Sequence, residues 1–301
     1  EGGVVAKDMA NIAACFNEVG CGNAQKMTQF DSNRQISRRI LDDAKSQGIK
    51  YFRGHAIWMP ILQRGDIRPY RFYGNNQVED MDRATFEKYV KEHINKIAAT
   101  EPEVYEWDVT NEMVNRVTFD KFGKTKYMKK IYEWCREILP EGTDLAMCDN
   151  NTKNEKYWGI IDDFQRMNVD YDVLAIQNHC NVETKTGITD MLRFYDRYTY
   201  EYQKQFSITE FSMYNYKNTE EGRLKGGDIV RDFLIAVFSH PGANAFTCFW
   251  LSDAYSGWQT YQAPLFDEKF NPKPAWYQWN DLLYNKWWTR DAHTTTDKDG
   301  R

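Results

Sequence analysis

No run of about 18 or more apolar residues occurs anywhere in the chain, and mean hydropathy is low at -0.74. A membrane-spanning helix is thereby excluded. The six cysteines, at 15, 21, 135, 148, 180 and 248, form no C-x-x-C pair and have no histidine at a ligand spacing, which argues against a structural zinc site. Cys15 and Cys21 stand close enough in sequence to bridge, whereas Cys148 and Cys248 fall inside predicted strands, where buried thiols are common, so cysteine usage leaves the redox compartment open. Basic clusters are equally scarce. Lys+Arg 39 against Asp+Glu 44 gives a net charge of -5, and the longest basic runs are pairs such as Arg38-Arg39 and Lys129-Lys130. A surface of that kind does not neutralise phosphates, and nucleic acid is not an expected partner. The phosphate-binding G-x-x-x-x-G-K-[ST] and G-x-G-x-x-G patterns and the G-x-S-x-G nucleophile elbow are missing. The opening Glu1-Gly2-Gly3 carries no basic-then-apolar export pattern. No Ser/Gly/Pro-rich linker, composition shift or repeat divides the 301 residues.

What the chain does have is a core. It is 42% hydrophobic and 15% aromatic, too much for disorder. The aromatics read first as core, although flat rings also suit a cleft that stacks on sugar faces. Short β-branched or aromatic runs alternate with amphipathic stretches. Strands are expected at 50–58, 103–110, 143–148, 172–177, 205–211 and 244–251, with a weaker one at 16–19 and a remnant at 3–6. Between them Ile36/Ile40/Ala44, Phe86/Val90/Ile94/Ile97, Met128/Ile131/Cys135/Ile138, Ile160/Phe164/Met167 and Ile229/Phe233/Val237 recur at helical spacing, each marking a buried face. Strands separated by helix-length segments give a parallel sheet covered outside. The pattern predicts an α/β fold, a single-domain (β/α)8 TIM barrel over 1–290, with a polar tail at 291–301.

Polar residues gather at the C-terminal ends of these strands: His55, Asn111-Glu112, Asp149-Asn150-Asn151, Gln177-Asn178-His179, Glu210 and Trp250. In a parallel barrel those ends share the face that carries active sites. A single glutamate at a strand end is ordinarily a solvated loop residue. Two of them, Glu112 and Glu210, among amides, imidazoles and indoles, are what glycoside hydrolysis requires: an acid to protonate the leaving oxygen and a carboxylate to attack or to activate water.

At these residues the chain resembles glycoside hydrolase family 10, whose best-known members are endo-β-1,4-xylanases. Arg53-Gly54-His55-Ala56-Ile57-Trp58 is similar to the family's R-G-H-x-x-x-W, one residue shorter, and Trp107-Asp108-Val109-Thr110-Asn111-Glu112 to W-D-V-x-N-E. Ile176-Gln177-Asn178-His179 resembles L-Q-S-H, Ile208-Thr209-Glu210-Phe211 resembles I-T-E-L, and Lys273-Pro274-Ala275-Trp276 resembles K-P-A-Y. Phe249-Trp250 and Gly257-Trp258 resemble the last strand and its tryptophan-bearing loop, and Asn23-x-x-Lys26 stands at E-N-E-M-K-W.

The resemblance implies a retaining endo-β-1,4-xylanase with Glu112 as acid/base and Glu210 as nucleophile, needing no metal or organic cofactor. A retaining pair should stand about 5–5.5 Å apart. It further implies that Asn111 holds the 2-hydroxyl of the reacting sugar, that His55 grips that sugar, and that Gln177 and His179 orient the acid/base and the nucleophile. Trp250 and Trp258 would wall the reacting subsite, Trp58 would pack beneath it, and Asn23 and Lys26 would bind the next sugar. Taken singly, Asn111 is a strand-end cap, a histidine is a satisfied polar residue, and a tryptophan is core. The implied partner is xylan, and a polymer that cannot enter a cell places the enzyme outside it, extracellular or at the cell surface or in a periplasm, as one module of a longer secreted chain or alone.

Departures from the family pattern define the alternatives. Gly22, Ala24 and Met27 replace the glutamates and the tryptophan of E-N-E-M-K-W; Ser212 stands in place of the usual aspartate after I-T-E-L; Met59 replaces a polar residue after Trp58. An altered distal subsite could admit the hydroxymethyl of a glucan, giving a barrel of the same mechanism on cellulose or mixed-linkage glucan. A barrel that binds polysaccharide with little turnover is the reading from another class.

Overall fold

A computed structural model describes residues 6–27, 29–59, 71–72, 76–77, 82–115, 125–150, 152–183, 186–214, 219–255, 263–290 and 293–299. Ten strands are present among them: β1 Glu18–Gly20, β2 Tyr51–Trp58, β3 Arg71–Phe72, β4 Asn76–Gln77, β5 Glu106–Asn111, β6 Asp144–Asp149, β7 Val173–Ile176, β8 His179–Asn181, β9 Gln205–Tyr214 and β10 Ala243–Cys248. The helices are α1 Ala6–Cys15, α2 Phe30–Ser46, α3 Arg83–Thr100, α4 Thr125–Ile138, α5 Glu155–Arg166, α6 Ile188–Asp196, α7 Glu220–Phe238 and α8 Pro274–Asn280. The main sheet runs β1-β2-β5-β6-β7-β9-β10, with β8 added beside β9, while β3 and β4 form a separate antiparallel pair. Eight parallel strands with helices between them make the nearly closed sheet of a (β/α)8 barrel.

The residues divide into two compact units. The first comprises 1–178, 193–211 and 242–247 and holds most of the sheet. Every residue of β5 and of β7 is buried, the expected state of a parallel strand covered on both faces. Helix starts are fixed by side chains: Asp82 accepts from the Thr85 amide at 2.7 Å to open α3, and Asn154 accepts from the Lys156 amide at 2.9 Å to open α5. Gly54 is required by close approach, because a Cβ there would lie 2.2 Å from the Trp107 ring. Between the ends of the sheet path, the Thr247 hydroxyl on β10 donates to Glu18 on β1 at 2.6 Å. In the second unit, comprising 179–192, 212–241 and 248–301, α7 packs on α8 and Gly227 lies against Pro274. A buried Lys273–Asp253 ion pair at 2.6 Å secures the chain before α8 there, with Lys273 also donating to the Ala263 carbonyl at 2.7 Å.

The expected strands are present with shifted bounds. The weak strand near 16–19 is β1, three residues long. Residues 3–5 of the expected remnant lie outside the described residues, and Ala6 opens α1 instead of closing a strand. β9 continues past Phe211 to Tyr214 because β8 pairs beside Ser212, Met213 and Tyr214, so Glu210 sits within its strand rather than at its end. β10 stops at Cys248, leaving Trp250 two residues beyond it. Among the described residues the six cysteines form no disulfide, and the described tail at 293–299 is exposed and lacks regular structure. Among the described residues no helix is long and apolar enough to cross a membrane.

One buried position carries a clear pH signature. His93 on α3 is wholly buried edge-on against Phe30, and neither ring nitrogen has a hydrogen-bond partner. Burial pushes its imidazole down to about 3, with Asp31 opposing and Lys96 adding to the shift. The unfolded chain takes up this proton near pH 6.5 and the folded chain does not, so the stability contribution is full above that pH and shrinks as pH falls toward 3. Replacing His93 by leucine should remove about 2 kcal/mol of the stability difference between pH 8 and pH 5. Urea denaturation of both proteins at the two pH values measures it.

Candidate active site

The polar residues nearest the reacting positions are placed by a buried ion cluster in the first unit. Arg53 on β2 donates through Nε to Glu106 at 2.7 Å and through both terminal nitrogens to the two Asp108 oxygens, one at 2.7 Å. Glu106 and Asp108 are fully buried and Arg53 nearly so. Burial alone would raise the Asp108 carboxyl, but the guanidinium and a bond from His55 hold it down at about 2. Glu106, by contrast, is pushed up to about 7: burial dominates, Arg53 opposes it, and Glu18 and Asp108 add to it. Asp108 therefore carries the fixed negative charge, and its Oδ2 stands 2.7 Å from His55 Nδ1. That contact aims the imidazole, whose Nδ1 lies 3.8 Å from Glu210 Oε1.

Glu112 follows β5 directly and is half-buried, with its amide bonded to the Cys148 carbonyl at 2.9 Å. Its φ is +55°, the left-handed region that glutamate avoids. Asn178, which follows the Gln177 strand end, shares this conformation at +58°. Asp149 supports the turn after Glu112 by accepting from the Val114 amide at 3.0 Å. Gln177 joins the pieces: its Nε2 donates to Asn111 Oδ1 at 3.0 Å and to Glu112 Oε1 at 3.2 Å. Glu210 is largely buried on β9, and its amide donates to the Gln177 carbonyl at 3.1 Å. His55, Asn111, Glu112, Gln177 and Glu210 are thus joined by direct contacts. The Asn111 amide also points at the Met59 sulfur, 3.2 Å away. A thioether is a weak acceptor, so the departure at Met59 leaves that amide bonded to a partner a sugar hydroxyl can displace.

The remaining expected site residues make other contacts. Trp58 is buried edge-on against Phe86 of α3, 4.8 Å between ring centres, as core between strand and helix. Asn23 is exposed on a four-residue 3-10 turn, Gly22–Gln25, with Lys26 half-buried just after it, and Met27, in place of the tryptophan wall, is buried. In the second unit His179 Nδ1 stands 2.7 Å from the Ser212 hydroxyl, and Phe249 lies edge-on to the His179 ring and 4.3 Å from the Trp250 ring. Trp258 and Gly257 lie outside the described residues. Two participants were not singled out by the sequence reading: Asp108, visible there only as a motif letter, and Gln25, a buried amide in the turn. Among the described residues no cluster of three or more His, Cys, Asp or Glu is arranged to hold a metal ion.

Residues 3–282 match glycosyl hydrolase family 10. The chain belongs to this family. No curated protein matches the sequence. Among solved structures, xylanase 10B from Thermotoga petrophila RKU-1 in complex with xylobiose is 18% identical, with 93% of this chain and 89% of that one covered and a TM-score of 0.76. The endo-1,4-beta-xylanase from Caldicellulosiruptor owensensis is 18% identical over 92% and 94% of the two chains with a TM-score of 0.77, and native xylanase 10B from Thermotoga maritima is 19% identical over 93% and 90% with 0.76. These likenesses show the (β/α)8 barrel fold.

Since Arg53 neutralises the buried Asp108 carboxylate and also bonds Glu106, Arg53→Met strands a buried charge and should lower the unfolding free energy by about 3–5 kcal/mol. Arg53→Lys keeps the charge but loses the fork, so its loss should be smaller. Urea titrations of the three proteins at pH 7 test the ranking.

Proposed function

We propose that the chain is an endo-β-1,4-xylanase that hydrolyses internal xylosidic bonds of xylan with retention of configuration. The observation that carries this reading is the contact set just described, with one carboxylate directly after β5 and one within β9 of a family 10 barrel, and Gln177 bonded through its side chain to the first and to Asn111 and through its carbonyl to the amide of the second. Glu112 donates its proton to the glycosidic oxygen as Glu210 attacks the anomeric carbon, so that the bond to the leaving sugar breaks as the glycosyl-enzyme bond forms. Glu112, now a carboxylate, then takes a proton from water, which attacks the same carbon and releases Glu210. Asn111 bonds the 2-hydroxyl as oxocarbenium character develops, and Gln177 keeps Asn111 and Glu112 in register. Asp108 and His55 give the nucleophile's surroundings a fixed geometry. His179 pairs through Nδ1 with the Ser212 hydroxyl, where the family pattern has a carboxylate. The similarity to xylanases, one of them in complex with xylobiose, supports xylan as the polymer. Because that polymer stays outside cells, the enzyme works there, as a secreted chain or as one module of one.

One observation favours a second substrate. Gly22 occupies the position of a family glutamate, and among the described residues nothing lies within 4 Å of where its Cβ would stand, so the side chain that would crowd a glucan hydroxymethyl there is missing. Initial rates on xylan, mixed-linkage glucan and mannan separate the readings, and a glucan rate equal to the xylan rate overturns the xylanase assignment.

Reducing-sugar release from glucuronoxylan should yield oligosaccharides with the wild type and fall by about three orders of magnitude or more in Glu112→Ala and in Glu210→Ala. Wild type that binds xylan and releases nothing marks a binding barrel. Gln177→Leu, which leaves both carboxylates in place, should lose about tenfold to a hundredfold in kcat with little change in thermal midpoint.

A further inference from the structure

The turn Gly22–Gln25 is short, and the two family glutamates that flank Asn23 are replaced in it by Gly22 and Ala24. Four residues of 3-10 helix do not hold their own geometry, yet the side chains of Asn23 and Lys26 depend on it. Gln25 stands at the methionine of E-N-E-M-K-W and is completely buried. Burying an amide where a thioether would fit is costly unless both its ends are bonded. Both are: Nε2 donates to Glu101 Oε2 at 2.7 Å, and Oε1 accepts from the His55 amide at 3.1 Å. Glu101 is itself buried, and its other oxygen accepts from the buried Ser37 hydroxyl on α2. A chain of bonds therefore runs from Ser37 through Glu101 and Gln25 to His55, and from His55 through Asp108 to Arg53.

We propose that Gln25 is a positioning residue that fastens the turn carrying Asn23 and Lys26 to the backbone of His55, so that distal-sugar binding is set by one buried amide. It compensates for the missing glutamates: with fewer side chains to grip the distal sugar, those left must be held in place. The inference rests on the assignment of the site to xylan hydrolysis, and it concerns the difference between one bound sugar and two.

Two aryl glycosides expose that difference. An aryl β-xyloside fills only the reacting subsite, whereas an aryl β-xylobioside also needs the distal one. In Gln25→Met the ratio of kcat/KM for xylobioside over xyloside should fall about tenfold, the loss lying mainly in KM for xylobioside. Gln25→Met leaves Glu101 without its amide donor, so the double variant Gln25→Met/Glu101→Leu, which removes that stranded carboxylate, is measured beside it and should show the same drop. Glu101→Gln, which can still accept from Gln25, should restore at least half of the ratio. A folded Gln25→Met or double variant whose ratio stays within about twofold of wild type overturns the proposal. So does failure of both to fold, which would make Gln25 a folding residue. Wild type inert on both glycosides overturns the xylan assignment as well, whereas wild type active on both with an unmoved variant ratio overturns the inference alone.

Discussion

The salt link between Arg53 and the paired carboxylates Glu106 and Asp108 is the constraint on which the rest of the site depends. Three ionisable groups lie where water cannot reach them, with the fixed charges on Arg53 and Asp108, and that pair is tolerable only while both stay in place. A planar guanidinium bonded to two residues on the adjacent strand fixes β2 against β5 by direction as well as distance. Gly54, with no room for a Cβ beside Trp107, lets the two strands close to that spacing. Because Asp108 is held charged, His55 has a fixed partner, and the imidazole beside Glu210 inherits the precision of the ion cluster.

From that anchor the site is assembled by bonds that cross between strands. Gln177 bonds Asn111 and Glu112 with its side chain and receives the Glu210 amide with its carbonyl. One residue thereby spans the two carboxylates through the frame of the sheet. The adjustments lie around this frame: Met59 under Asn111, Ser212 beside His179, and Gln25 beneath the turn. The machinery for bond cleavage keeps its usual chemical types, while the surroundings that bind and tune are where this chain departs from its family.

The fold was legible because its signal is local. Helical stripes such as Phe86/Val90/Ile94/Ile97 are fully buried, and the apolar runs became strands. Glu112 and Glu210 stood out because short motifs surround them. Strand ends were less legible: β9 runs on to Tyr214 because β8 lies beside it, a pairing between segments more than 30 residues apart, as between His179 and Ser212. The same holds for Gln25 and Glu101, separated by 76 positions, where each looks solvated until the partner is known. Trp58 shows the converse, a motif tryptophan whose neighbour is a helix phenylalanine. Motifs identify the groups that react; buried pairs between distant polar residues, which have no local pattern, hold them.

The left-handed backbone at Glu112 sets stability and activity against each other. A glutamate held at φ +55° stores about 1 kcal/mol or more that a glycine would release. On backbone grounds alone glycine would fold better at this position. On the proposed mechanism, the demand for a proton donor at that point in space is what keeps the glutamate there. Stabilising this chain by relieving backbone strain would make Glu112, the proposed acid/base, one of the first residues chosen for removal, so any such effort has to leave that strain in place.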